Sequence, residues 1–427
     1  MFGLHFKTLL PAIIFALCIL EMSFGLLIRF HVVWWFYFYF VWSIFNLNIK
    51  RKVDKGLIKS NMRLIILYLL SCLIFTLHHF LGKEYYQKST SDSFNILWWS
   101  IFGALLVYQM RQGQVYFGLF HVYVRNIVFF GCCITGLMGL LKYVNILSGR
   151  YLNSYYYENQ LLSGSSLSTD YNLYSLGLTI GALLSIGLFK KNTTHLFKLL
   201  YILTIGIIIL SILLSGSRRG VLMSGLILFC LAYSSQILNA RKQITLVTIL
   251  FVPIVVLFFI SNNWGKITEY LLSTDLINQD ITRVLTLKEE LQGENERTSR
   301  FAWGLDYFSE RTGLETIFGS GFEYLKIMGR IFSGELEDTP HNYLLSSLLY
   351  GGILSLIISL LMTYELISSS FNQHRIWYPV VLVLILFGLT SSNSLFAMRL
   401  FPTLIFIMSL RIQKINKPIG LFTNNHG

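Results

Sequence analysis

Ser215-Gly216-Ser217-Arg218-Arg219-Gly220 stands between two apolar runs. Glycine and serine leave backbone N–H groups open, a helix beginning here offers its positive N-terminus, and arginine carries a planar fork of donors. Such a turn can hold phosphate or pyrophosphate. The ordinary alternative is a pair of interfacial anchors whose stems lie along lipid while their heads reach water. Further on, Glu296-Arg297-Thr298-Ser299-Arg300-Phe301-Ala302-Trp303 leads to Phe318-Gly319-Ser320-Gly321-Phe322. Spacings of three and four put Arg300, Trp303 and Tyr307 on one helical face. That pattern by itself is an amphipathic surface helix, with Arg297 as a second cation. His341-Asn342 then opens an apolar run containing Gly351-Gly352. A neutral imidazole can take a proton from a hydroxyl, which is general-base work. A histidine at such a boundary also serves as an interfacial residue.

These groups have to be positioned by membrane helices. Hydrophobic residues make up 54% of the 427-residue chain and charged residues 13%, with a mean hydropathy of +0.60. A soluble domain carries roughly 25% charge, so an ordinary soluble protein is excluded. Apolar runs occur near 8–28, 30–46, 63–81, 94–110, 123–144, 171–189, 196–214, 219–238, 243–261, 342–363, 377–394 and 397–411. They predict an all-α polytopic membrane protein with about twelve transmembrane helices. Six prolines and no Gly/Ser-rich linker predict one integrated domain. Its parts are helices one to nine over 1–262, a large polar loop over 263–341, and helices ten to twelve with a tail over 342–427. The first run carries Glu21 and lacks a small-residue cleavage site, so it is read as a retained span rather than a signal peptide.

Charge gives the orientation. The formal net charge is +13, but between Asn263 and Pro340 eight Lys/Arg face fourteen Asp/Glu, a net of −6. The remainder is +19, mostly in short turns. Basic turns at Lys50-Arg51-Lys52, Arg111, Lys190-Lys191, Arg241-Lys242 and Arg375 and the tail fall on one side by alternation, which marks it as cytoplasmic. Both termini are then cytoplasmic and the acidic loop is external. This distribution is that of membrane anchors and excludes a nucleic-acid-binding face. One basic turn breaks the rule: Arg218 and Arg219 of Ser215–Gly220 fall on the external side, where two retained cations ask for an anion.

Other groups are weaker. The five cysteines sit inside apolar runs without CxxC spacing, so neither a metal site nor a disulfide framework is expected. His78-His79 lacks a third ligand. Glu21 and Arg125 lie in or beside spans and are suspects as intramembrane charges. Glu158 and Asp170 could line the external mouth and meet hydroxyl groups.

Taken in order, Ser-x-Ser-Arg at a helix start, an arginine followed by an aromatic, a Gly-x-Gly, and His-Asn before a helix with paired glycines resemble the O-antigen polymerase and O-antigen ligase superfamily. Thr169-Asp170-Tyr171-Asn172 also looks like the Asp-x-Asn that opens a span in many polymerases. The resemblance covers topology over the whole chain and specific residues from about 170 to 355. It implies a GT-C-like membrane glycosyltransferase of the bacterial inner membrane, acting on glycans carried by undecaprenyl pyrophosphate. It also implies inverting, metal-independent transfer without a cofactor, and no Asp-x-Asp stands on the external side. By the resemblance, Arg218 or Arg219, with Arg300 or Arg297, grips the pyrophosphate, and His341 activates the acceptor. Asn342, Asp170, Asn172 and Ser217 are candidate sugar contacts. A chain-length regulator and a flippase are the implied protein partners. Polymerase is favoured over ligase on Asp170-Tyr171-Asn172, the Ser-Gly-Ser-Arg-Arg-Gly turn and the His-Asn with Gly-Gly. A transporter is the rival class, opposed by spans nearly free of Asp, Glu and Lys.

Overall fold

An apolar segment among lipids must satisfy its own backbone hydrogen bonds, and a helix does so within one stretch of chain. A computed structural model of the protein describes residues 2–24, 117–144 and 146, 164–168, 170–186, 195–232, 296–334, 338–373 and 378–391, with isolated positions between 38 and 78. Among the described residues every regular element is helical and there is no strand. The apolar runs near 94–110, 243–261 and 397–411, all of the run near 30–46 but Phe38, Val41 and Phe45, the basic turn at 50–63, Glu158 and the loop from 263 to 295 lie outside the described residues.

Five helices build the first part: α1 (Phe2–Phe24), α2 (Phe117–Tyr143), α3 (Tyr171–Ser185), α4 (His195–Leu213) and α5 (Arg218–Ala232). α3 is the central one, packed by α1, α2, α4 and α5. Every residue from Tyr174 to Ser185 is buried. Small residues allow this close approach, the usual means of packing helices among lipids. Gly177 lies against Met22 and Ser23 of α1, and a side chain at Gly181 would collide with Cys132 of α2. α4 shows the outer surface: Leu196, Leu199, Ile202 and Leu203 are each more than half exposed. In water such a stripe invites association; against acyl chains it is the face a span presents. Leu119–Tyr143 and His195–Leu213 are both long and apolar enough to cross a membrane.

The second part comprises α6 (Glu296–Ser309), α7 (Leu314–Phe318), α8 (Glu323–Met328) running into a π-helical turn (Gly329–Ser333), α9 (Tyr343–Gln373) and α10 (Tyr378–Ser391). α9 also has the length and hydropathy of a membrane span over Tyr343–Ser368, but it is not one rod. Gly352 has φ 64° and ψ −161°, outside the helical region. Across it the Tyr343 and Thr363 hydroxyls are 2.8 Å apart, and Ser359 Oγ donates to Ser347 Oγ at 2.8 Å. Twenty residues of continuous helix would separate Tyr343 from Thr363 by about 30 Å. The run expected as a single span over 342–363 is therefore a hairpin. A short arm, 343–351, folds back on the first half of a long arm, 353–373. The long arm alone spans about 31 Å.

α10 packs on both α9 and α3 and so joins the two parts. Only 374–377 separate α9 from α10, and so short a connection between packed helices makes them antiparallel. The end of α10 consequently returns to the level of the α9 residues near Thr363, where the short arm begins.

Candidate functional site

The starts of α3 and α5 are built as one polar unit. Asp170 caps α3, its Oδ1 accepting the N–H groups of Asn172 at 2.9 Å and Leu173 at 3.1 Å. Two orphan helix donors are met this way, as an Asp N-cap should do. Ser217 does the same for α5 by accepting the Gly220 N–H at 3.1 Å, and its hydroxyl donates to Asn172 Oδ1 at 3.0 Å. The Asp-x-Asn and Ser-x-Ser-Arg groups, 45 positions apart, are thus joined by a direct hydrogen bond. Below them Ser175 and Ser215 share a hydrogen bond at 2.9 Å, and Tyr174 reaches Ser211 at 2.8 Å. Residues 164–168 lie across this turn, with the Ser165 N–H donating to Leu214 O at 2.9 Å. Lys142 Nζ donates to the carbonyls of Gly164 and Ser166. The arrangement leaves Arg218 and Arg219 as the first two residues of α5, at its positive end.

The two arginines are not equivalent. Arg219 Nη2 donates to Thr390 O at 2.6 Å in the last turn of α10, and its guanidinium stands 5.9 Å from the Phe387 ring. A cation on the carbonyl end of a helix is stabilising, so Arg219 has a structural task. The Arg218 side chain lies outside the described residues, as does that of Arg297 in the first turn of α6.

α6 carries the expected face. Trp303 and Tyr307 stack at 4.9 Å, and Phe332 of the π-helical turn meets Trp303 at 6.3 Å. Arg300 lies on the same side, its guanidinium 5.6 Å from the Phe332 ring. It is buried at 8% exposure and paired with an acid that sequence reasoning missed. Arg300 Nη2 is 2.9 Å from Asp338 Oδ2, and Nη1 donates to Oδ1 at 3.4 Å. Asp338 is itself fixed, since its Oδ1 accepts the Thr339 N–H at 2.7 Å and its own N–H donates to Leu325 O at 2.9 Å.

Three residues past Asp338 comes His341, partly exposed, with φ 53°. Among the described residues it is the one non-glycine with positive φ, a conformation that costs about 1 kcal/mol or more. Asn342 follows as the cap of α9, its Oδ1 accepting the Leu344 and Leu345 N–H groups at 3.0 and 3.1 Å. Arg300 and His341, 41 positions apart in sequence, are therefore tied to one short segment. Asp170 and Asn342, expected as sugar contacts, both spend a side-chain oxygen on a helix cap.

The glycine pairs have a definite place. Gly319 and Gly321, both with φ 75°, lie against the hairpin tip: a side chain at Gly319 would strike Tyr350 O, and one at Gly352 would strike Ile317 O. The break in α9 deprives its last carbonyls of helical donors, and this crossing supplies others. Gly321 N–H donates to Tyr350 O at 3.0 Å, and Arg311 Nη1 donates to Leu349 O. Arg311 also stands 4.7 Å from the Tyr307 ring, and His78 Nε2 bonds Phe318 O at 2.6 Å. His78, considered from the sequence only as half of a His-His pair, is thus a packing contact of this crossing, and Arg311 is a further residue sequence reasoning missed; a basic residue just after the α6 aromatic face was the available signal.

No family model and no curated protein matches the chain.

Proposed function

We propose that this chain is a glycosyltransferase of the bacterial inner membrane, with about twelve transmembrane helices in a GT-C-like arrangement and its site on the periplasmic side. Its reaction is polymerisation of a surface polysaccharide such as O-antigen. The growing glycan passes from undecaprenyl pyrophosphate to a hydroxyl on the non-reducing-end sugar of a new lipid-linked repeat unit. The observation that carries this reading is the link between Arg300 and the His341 segment through Asp338. A candidate base lies three residues from the acid that pairs with a candidate pyrophosphate ligand, just before a helix cap, and is the one non-glycine with positive φ among the described residues.

The acceptor hydroxyl attacks the anomeric carbon and gives its proton to the His341 imidazole as the new glycosidic bond forms. The bond to the pyrophosphate oxygen breaks from the opposite face, so configuration inverts, and undecaprenyl pyrophosphate leaves. Two guanidiniums suffice to stabilise the departing charge. Arg300 is one. Arg218 is the other, because Arg219 is engaged by Thr390. The connection through α10 supports a common level for these two cations.

Purified protein with lipid-linked repeat units tests the reading. Chains of several repeats should form, and His341→Ala should abolish them while the protein remains folded. In cells, loss of the gene should leave lipopolysaccharide with a single repeat. Long chains stranded on the carrier lipid would instead assign the ligase reaction, in which lipid A-core is the acceptor. Unchanged chain length with failed translocation would assign transport.

A further inference from the structure

A guanidinium that binds pyrophosphate must offer its donors to an incoming anion, yet Arg300 is buried and its two terminal nitrogens face the Asp338 carboxylate. The paired side chains are only 10% and 12% exposed, so solvent screens the pair little. A carboxylate gripped side-on by Arg has the same fork geometry as a phosphate. We propose that Asp338 is a stand-in anion on Arg300, displaced when the donor pyrophosphate binds, and that its displacement repositions His341. This inference rests on the glycosyltransferase reading above and adds the regulation of that site.

The connection to the base is short and covalent. Asp338 Oδ1 also holds the Thr339 N–H, so the carboxylate fixes the backbone that leads through Pro340 to His341. On the far side Asn342 is anchored as the α9 cap. His341 lies between these two fixed points in a left-handed conformation that the rest of the chain must impose. Release of Asp338 from Arg300 loosens the first of the two, which then keeps, among the described residues, only the backbone bond from the Asp338 N–H to Leu325 O. The pair is also an acid and a base of opposite charge, so that removing the donor restores it without an external counter-ion. Substrate binding and arrival of the base are coupled in this way, and an unoccupied site keeps its cation neutralised.

The test is binding of farnesyl pyrophosphate to the full-length protein in detergent, by calorimetry, with Asp338→Asn beside the wild type. Removal of the competing charge should tighten binding on the order of ten-fold. Hydrogen exchange on the wild type gives a second measurement that needs no variant to fold: the peptide covering 338–345 should exchange faster when farnesyl pyrophosphate is bound. Binding by Asp338→Asn that is unchanged or weaker overturns the stand-in role, and so does unchanged or slower exchange in that peptide. If the wild type and the variant both ignore farnesyl pyrophosphate, the pyrophosphate-donor reading fails, and this proposal with it.

Discussion

The hydroxyl of Tyr343 lies 2.8 Å from that of Thr363, twenty positions along the same helix. Only a reversal at Gly352 brings them together, and the Ser347–Ser359 hydrogen bond follows from the same fold-back. A cysteine pair tests it directly. In a background without the native cysteines, Ser347→Cys with Ser359→Cys should oxidise to an intramolecular disulfide, because the Oγ atoms are already 2.8 Å apart. In a straight helix, twelve residues would hold the two about 18 Å apart. Mass spectrometry of the digest reads the outcome; absence of the cross-linked peptide under mild oxidation would mean the arms do not pack.

Gly352 should be close to irreplaceable. Its φ of 64° with ψ of −161° belongs to a region that only glycine uses freely, and a Cβ there meets the Ile317 carbonyl. Backbone strain alone costs about 1–3 kcal/mol, and the collision adds to it. Gly352→Ala should lower the thermal unfolding temperature clearly, whereas Gly225→Ala in α5, where no atom lies within 4 Å of the added group, should be neutral or stabilising. Equal effects of the two would show that the hairpin tip is not under the close contact described.

These glycines mark the limit of what is legible in the sequence. Low charge and long apolar runs led directly to helices, and the Arg300, Trp303, Tyr307 face was legible because spacing fixes a helical face. The hairpin was not, since apolar residues recur alike in one long span and in two arms folded together. Gly351-Gly352 was the only local mark of a break, and its meaning depends on Gly319 and Gly321, some thirty positions earlier. Asp338 stayed hidden for a similar reason. In a loop with fourteen acidic residues, nothing local selects the one that pairs with Arg300.

His341 separates backbone strain from chemistry. Asparagine tolerates positive φ better than most residues, so His341→Asn should keep the unfolding temperature near that of the wild type. It lacks a proton-accepting imidazole, and turnover should fall by about 100-fold or more. His341→Val should lose both activity and stability, because a β-branched residue at φ 53° is a steric outlier. A His341→Asn protein that polymerises at the wild-type rate would remove His341 from the base role.

Arg218 and Arg219 should part company under substitution. Arg219→Ala removes the hydrogen bond to Thr390 O and the contact with Phe387, at a cost of about 1–2 kcal/mol in stability. Because its guanidinium is held at the end of α10 by the bond to Thr390 O, the Michaelis constant for the lipid-linked donor should change little. Arg218→Ala should do the reverse. The fold should hold, while the Michaelis constant rises and turnover drops, since a ligand of the leaving group stabilises both bound donor and transition state. Arg218→Lys should recover only part of the loss, as an ammonium lacks the planar fork that grips a phosphate through two donors. Were Arg219→Ala the variant that lost donor affinity at full stability, the contact with Thr390 would have to open during turnover. Arg219 would then take Arg218's place as the pyrophosphate ligand.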